Sequence, residues 1–133
     1  MQRIADTGLL KALLDKSDLH HRWAHEQFKA QAPFHTCEAV LDELSYLAGD
    51  PRLGLQLAAR GDVVVGFSLA GHVGEVLALL EKYADRSMDL ADACLVRMTE
   101  LTDSCKVWTV DKSDFRIYRR HGRQVVPCEF PPN

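Results

Sequence analysis

No stretch of the chain is apolar for long enough to cross a membrane as a helix. The first residues, Met1-Gln2-Arg3-Ile4-Ala5-Asp6, lack the long apolar region of a secretory leader. A cytosolic protein without membrane contact is therefore expected. The four cysteines, Cys37, Cys94, Cys105 and Cys128, form no Cys-x-x-Cys pair, so zinc and redox readings are weak. Cys94 reads as a small core residue. Gly61 and Gly66 bracket an apolar run without making a phosphate-binding loop. There is no repeat, no low-complexity segment and no interdomain linker. The net charge of −3 does not suggest a generic nucleic-acid binder. What remains is an ordinary globular composition, 47% hydrophobic and 26% charged, in 133 residues. That length suits a single domain over residues 1–133 with one core.

Taken in order, the chain alternates short apolar runs with helical periodicity. Arg3-Ile4-Ala5 reads as extended and ends at Asp6-Thr7-Gly8. Leu9, Leu10, Leu13 and Leu14 follow at helical spacing. Ser17 or Asp18 can cap a next helix that carries Trp23, Ala24 and Phe28 inward. Pro33 to Cys37 suits a short buried strand, and a helix over about 38–47 follows. Gly49-Asp50-Pro51 supplies a helix stop, an N-cap and a first-turn proline. The spacing then predicts a helix to Gly61, a strand over 62–66, and helices over about 71–83 and 89–103. Residues 106–110 read as another buried strand. A short helix through Phe115 and Tyr118 and an edge strand over 124–126 complete the pattern. Such alternation predicts an α/β fold built on a mostly parallel sheet. Ligands of such sheets bind beyond the carboxyl ends of the strands. Asp6 and Asp111 are each the first polar residue after a strand-like run, so both open onto that edge.

The stretch Met88 to Val96 is apolar nearly all round and reads as the start of a buried helix. Asp89 suits the N-cap, and Asp92 falls at the third helical position, on the face of Leu95 and Val96. No Lys or Arg lies near enough in sequence to pair with Asp92. A carboxylate among apolar groups without a cation is costly, which leaves the helix dipole or a metal ion as its compensation. Glu43 adds another acid. It borders the apolar stripe of Val40, Leu41, Leu44 and Leu47, whereas Asp42 points to the opposite side. Carboxylates from four separate segments would repel one another if brought together. Hard oxygen donors select Mg²⁺ or Mn²⁺, and such a site suits hydrolysis of a phosphodiester by activated water.

Several pieces in fixed order carry a resemblance. They are Ala5-Asp6-Thr7-Gly8-Leu9-Leu10, Thr36-Cys37-Glu38-Ala39-Val40-Leu41-Asp42-Glu43, Tyr83-Ala84-Asp85, Met88-Asp89-Leu90-Ala91-Asp92-Ala93, and Trp108-Thr109-Val110-Asp111-Lys112-Ser113-Asp114-Phe115. Over nearly the whole chain they resemble PIN-domain ribonucleases, specifically the VapC-type toxins of bacterial and archaeal toxin–antitoxin modules. The resemblance implies a three-layer α/β/α sandwich around a parallel sheet and a metal-dependent endoribonuclease. It implies that Asp6, Glu43, Asp92 and Asp111 are the catalytic, metal-binding acids, with Asp114 as an additional candidate. Asp89 is an alternative to Asp92, though its capping fit argues otherwise. It further implies Mg²⁺ or Mn²⁺ as cofactor, RNA as substrate, a cognate antitoxin as partner, and a homodimer.

Lys112, Arg116, Arg119, Arg120 and Arg123 crowd one short segment directly after Asp111. This is either a solvated basic helix or a phosphate-holding surface, with Arg116, Arg119 and Arg120 as the RNA-binding candidates. His21 and His25 lie four apart beside Glu26, a spacing that can hold a transition metal, but exposed histidines are common. Two rival classes share some of these features. A phospho-receiver domain also clusters acids at strand ends, but it needs paired acids after the first strand, and here Asp6 is followed by Thr7 and Gly8. A catalytically silent scaffold of the same fold would be expected to have lost some of the four acids.

Overall fold

Strand β1 (Gln2–Ala5) lies at the centre of the molecule, because its neighbours on both sides are parallel strands. The computed structural model describes residues 1–133. After β1 come α1 (Thr7–Leu14), α2 (His21–Gln31), β2 (Phe34–Thr36), α3 (Glu38–Ala48), α4 (Arg52–Ala59) and β3 (Val63–Val65). Then follow α5 (Val73–Lys82), α6 (Leu90–Glu100), β4 (Cys105–Trp108), α7 (Lys112–Phe115), β5 (Arg119–Arg120), β6 (Gln124–Val125) and β7 (Cys128–Glu129). The main sheet has the order β3-β2-β1-β4-β7 and is parallel throughout. The register sets Ile4 beside His35 and Val107, and Ala5 beside Trp108.

The two faces of the sheet meet different helices. Phe34 packs on Phe28 of α2 at 4.7 Å between ring centroids and on Trp108 at 5.3 Å. The Trp108 indole N–H donates to Gln27 of α2 at 2.7 Å. On the other face the Cys105 thiol donates to the carbonyl of Thr99 in α6. Helices on both faces of one parallel sheet make the three-layer α/β/α sandwich. One hydrophobic cluster of 30 buried residues fills it, and where the central strands are fully buried, at Ile4-Ala5 and Val107-Trp108, their residues are apolar. No helix is long and apolar enough to cross a membrane.

Close packing ties the first turn of α1 to the segment after β4. A Cβ on Gly8 would overlap the Val110 side chain, so only glycine permits this approach. Thr36 on β2 donates its hydroxyl to the Ala5 carbonyl at 2.9 Å and fixes the end of β1 from the other side.

Several boundaries differ from the sequence expectation. Helix α2 begins at His21, because Asp18 turns back instead: it accepts from the His20 N–H at 2.8 Å and pairs with Lys11 at 2.7 Å. Asp50 accepts from the Arg52 N–H at 2.9 Å, and Pro51 lies just before the helix. Gly49 takes the left-handed φ of 70° that stops α3. Leu47 is 50% exposed and leaves the apolar stripe of α3. Helix α6 ends at Glu100. The largest departure is after Phe115, where the expected helix stops. Arg119–Arg120 pairs antiparallel with Gln124–Val125 in a separate small sheet, through a turn with positive φ at His121 and Gly122. The edge of the main sheet is Cys128–Glu129, not residues 124–126.

Candidate active site

Two adjacent central strands, β1 and β4, end at the same edge of the sheet. The Asp6 N–H donates to the Trp108 carbonyl at 3.0 Å and holds these ends together. Asp6 is 6% exposed. Its Oδ1 accepts from the Thr7 N–H at 2.7 Å, which caps α1, and its Oδ2 accepts from the Thr109 hydroxyl at 2.6 Å. The same Thr109 oxygen accepts from the Asp111 N–H at 3.0 Å. Thr109 therefore connects the first acid to the last. Asp111 caps α7, accepting from the Asp114 N–H at 3.0 Å and the Ser113 hydroxyl at 3.2 Å.

The other acids arrive on helices. Asp89 caps α6 and accepts from the Asp92 N–H at 2.8 Å, the role its position suggested. Asp92 stands at the third position of α6, half-buried, and its Oδ2 accepts from the Tyr118 hydroxyl at 2.8 Å. On α3, Glu43 is half-buried and Asp42 exposed, which agrees with the helix-face argument.

The acids act on one another electrostatically. Burial pushes the Asp6 carboxyl up to about 6; its bonds from Thr109 and Thr7 oppose this, and Glu43 and Asp111 reinforce it. Burial pushes Asp92 up to about 8, with Asp6, Asp89 and Asp111 adding to the rise and the Tyr118 hydroxyl opposing it. Glu43 is raised by burial and then by Asp89, while the Thr7 hydroxyl lowers it. No lysine or arginine figures among the charges acting on these three. Arg86 bridges Asp114 at 2.9 Å. That ion pair occupies Asp114, which makes it a weaker ligand candidate than the other four.

Like charges gathered in a poorly solvated pocket favour either protonation or a bound cation. The donor set is all hard oxygen, which suits Mg²⁺ or Mn²⁺. The Thr7 hydroxyl adds a buried oxygen that makes no full hydrogen bond, although it lies near enough to Glu43 to act on it. No three acidic, histidine or cysteine side chains are drawn together as a coordination shell. The residues fit an ion by their chemistry and uncompensated charge, not by a closed cage.

The basic segment divides into different roles. Arg116 is exposed, its guanidinium over the Phe130 ring at 5.5 Å. Arg119 donates to the carbonyls of Arg116, Ile117 and Tyr118 at 2.8, 3.2 and 3.0 Å and closes the end of α7. Arg120 corrects the sequence expectation. It is 6% exposed and donates to the Thr102 carbonyl at 2.8 Å. The cause is the strand β5, which turns Arg120 inward where a helix would have left it at the surface. Arg120→Ala is thus expected to lower stability by about 2 kcal/mol, through lost packing and an unpaired Thr102 carbonyl. Arg116→Ala should instead leave the melting temperature unchanged; if the segment holds RNA phosphates, it should flatten the slope of log affinity against log salt by roughly 0.7. Thermal melts and salt titrations of the two variants check both outcomes.

His21 and His25 have ring centroids 6.3 Å apart, and the His21 Nδ1–H donates to the Ala12 carbonyl at 2.8 Å. Phe28 and Trp23 are partly buried against the core. Sequence reasoning missed Thr109 and Tyr118. The Thr-x-Asp spacing after a strand was a usable signal for Thr109; nothing local marked Tyr118.

No family model matches the chain, and no curated protein matches it in sequence. Among solved structures it is similar to Mycobacterium tuberculosis VapC20, described as a toxin that cleaves the sarcin-ricin loop. The match has a TM-score of 0.68 at 19% identity and covers 80% of this chain and 87% of that one. The fold is PIN-like. In this PIN-like fold the acids described above sit at the carboxyl edge of the parallel sheet, where α/β sheets bind ligands. The strand order also separates the chain from the receiver alternative. A receiver sheet sets its first strand between the second and third, whereas here β1 lies between β2 and β4.

Proposed function

We propose that this chain is a metal-dependent endoribonuclease that cleaves RNA phosphodiesters with water as nucleophile, and that it is the toxin of a toxin–antitoxin pair. The observation that carries the reading is the uncompensated group of Asp6, Glu43, Asp92 and Asp111 at the sheet edge of a PIN-like fold. These four side chains would hold one or two Mg²⁺ or Mn²⁺ ions. Such an ion, when bound, supplies an activated water and neutralises charge that develops on the phosphate.

The rest of the work falls to the chain itself. Thr109 and the Thr7 N–H fix both oxygens of Asp6, so its carboxylate is oriented before any ligand arrives. The Asp111 carboxylate is held by its capping bonds. Lys112 and the exposed Arg116 lie directly after Asp111 and would hold the backbone phosphates of the RNA. The VapC-like fold further supports, as expectations, an antitoxin partner, a homodimer and a cytosolic setting.

The test is RNA cleavage by the purified chain with Mg²⁺ or Mn²⁺ and with a chelator, beside a phosphoryl-donor assay. Metal-dependent cleavage supports the reading; phosphorylation without cleavage favours a signalling role, and neither activity favours a scaffold. Glu43→Gln is expected to weaken Mn²⁺ binding at least about 10-fold, since even changes outside the coordinating shell cost that much. Asp42→Asn should bind as the wild type does. The reverse pattern, read by calorimetry, would overturn the assignment of the α3 face.

A further inference from the structure

Asp92 poses a mechanical problem that the acidic group does not solve by itself. Three other carboxylates act on it, and mutual repulsion would swing a free side chain away from them. Its one side-chain donor is the Tyr118 hydroxyl, at 2.8 Å from Oδ2. We propose that Tyr118 is a positioning residue that holds the Asp92 carboxylate in the acidic group. The inference rests on the ribonuclease reading and extends it by one residue.

Tyr118 is built to hold a fixed place. It is 0% exposed. Its ring is gripped edge-on by Tyr83 at 5.1 Å and Phe115 at 5.2 Å. Its N–H donates to the Asp114 carbonyl at 3.1 Å. The next residue is pinned as well, since the Arg119 N–H donates to the Tyr83 hydroxyl at 2.9 Å. Ring and backbone are thus both held, and the hydroxyl has little freedom to follow a wandering carboxylate.

The placement links two acids through one short segment. Asp111 caps the start of α7, and Tyr118 follows its end. Residues 111–118 therefore carry one acid directly and restrain a second, on α6, through the Tyr118 hydroxyl. Asp6 and Asp111 are already joined through Thr109. The result is a chain of restraints from Asp6 through Thr109 and Asp111 to Tyr118 and Asp92.

The chemistry of the donor fits the task. A lysine or arginine at this point would cancel the charge of Asp92 and compete with a divalent cation. A neutral hydroxyl orients the carboxylate and leaves its charge in place. It takes up Oδ2 and leaves Oδ1 without a side-chain donor. Groups that orient a ligating side chain in this way typically matter 10- to 100-fold for metal affinity.

The experiment is Mn²⁺ titration of the full chain without RNA, followed by electron paramagnetic resonance of the free ion. Tyr118→Phe keeps the buried ring and removes only the hydroxyl. Its Mn²⁺ affinity is expected to fall about 10-fold or more, with its circular dichroism spectrum unchanged. In an Asp92→Asn background the same change should have no further effect, because the hydroxyl acts through Asp92. Tyr83→Phe, which frees the Arg119 N–H and leaves the rings packed, should give a smaller loss in the same direction. Wild-type affinity in Tyr118→Phe overturns the proposal, as does an equal loss in the Asp92→Asn background. A wild-type chain that neither binds Mn²⁺ nor cuts RNA overturns the ribonuclease reading itself, and the role of Tyr118 with it.

Discussion

Asp92→Asn is expected to give a folded protein whose RNA cleavage falls more than about 100-fold, the upper end of what changes outside the coordinating shell cost. Expression of this variant should no longer arrest growth. Asparagine keeps the size of the side chain, and its carbonyl can still accept from Tyr118. What it loses is the charge, and the charge is what a hard cation needs. The substitution is cleaner than its counterparts. Asp6→Ala removes the cap of α1 as well, at about 1 kcal/mol, and leaves the Thr109 hydroxyl without its acceptor. Growth arrest should also disappear in Asp6→Ala and Glu43→Ala, and Asp92→Asn avoids the cap loss that accompanies Asp6→Ala. Single-turnover cleavage, growth after induction and a thermal melt measure the three parts. Cleavage within tenfold of wild type would remove Asp92 from the site. A wild-type chain that is harmless at high expression and cuts no cellular RNA would leave the scaffold reading as the better one.

The placement of the acids on their strands and helices was legible in the sequence because each has a local signature. Asp6 directly follows β1 and Asp111 comes three residues after β4, each behind the buried apolar end of its strand. Glu43 and Asp42 were separated by helical period alone, and Asp89 by its capping position. The hairpin of β5 and β6 was not legible, because what holds it lies elsewhere in the chain. Lys82 donates to the Gly122 carbonyl at 2.9 Å, Glu100 accepts from the His121 N–H at 2.7 Å, and Tyr83 accepts from the Arg119 N–H at 2.9 Å. Without those partners, residues 116–123 are a run of basic residues with ordinary helix propensity. Arg120 was misread for the same reason, since its burial follows from the hairpin. Strand β7 is two residues long and pairs only through β4, too short to show any alternation. Tyr118 was invisible because its partner lies 26 residues earlier.

The second large effect is on stability, and its sign runs opposite to that of most acids in folded proteins. Paired carboxylates have lowered pKa values and stabilise the fold as pH rises. In the metal-free chain, burial and like charge instead raise Asp6 to about 6 and Asp92 to about 8, from a reference of 3.8. Between the reference value and these raised values the folded chain binds more protons than the unfolded one. The stabilising contribution is therefore complete below about 4 and is lost as pH rises through 6 and then 8. Each proton so held gives a slope of up to about 1.4 kcal/mol per pH unit. The melting temperature of the metal-free wild type should thus fall steadily from pH 5 to pH 8. Asp92→Asn removes the larger of the two contributions, because a neutral amide does not ionise in the pocket. At pH 8 it should melt about 5 °C higher than wild type, after allowance for partial solvent screening. Below about pH 4, where Asp92 is protonated in both the folded and unfolded chain, the two should melt together. Mn²⁺ should raise the wild-type melting temperature at pH 8 and leave Asp92→Asn much less affected, because the ion takes the place of the protons. A wild-type melting temperature that is flat across this range would show that the acids do not share a desolvated pocket. An Asp92→Asn variant less stable than wild type at pH 8 would assign Asp92 a structural ion pair in place of a site held ready for a cation.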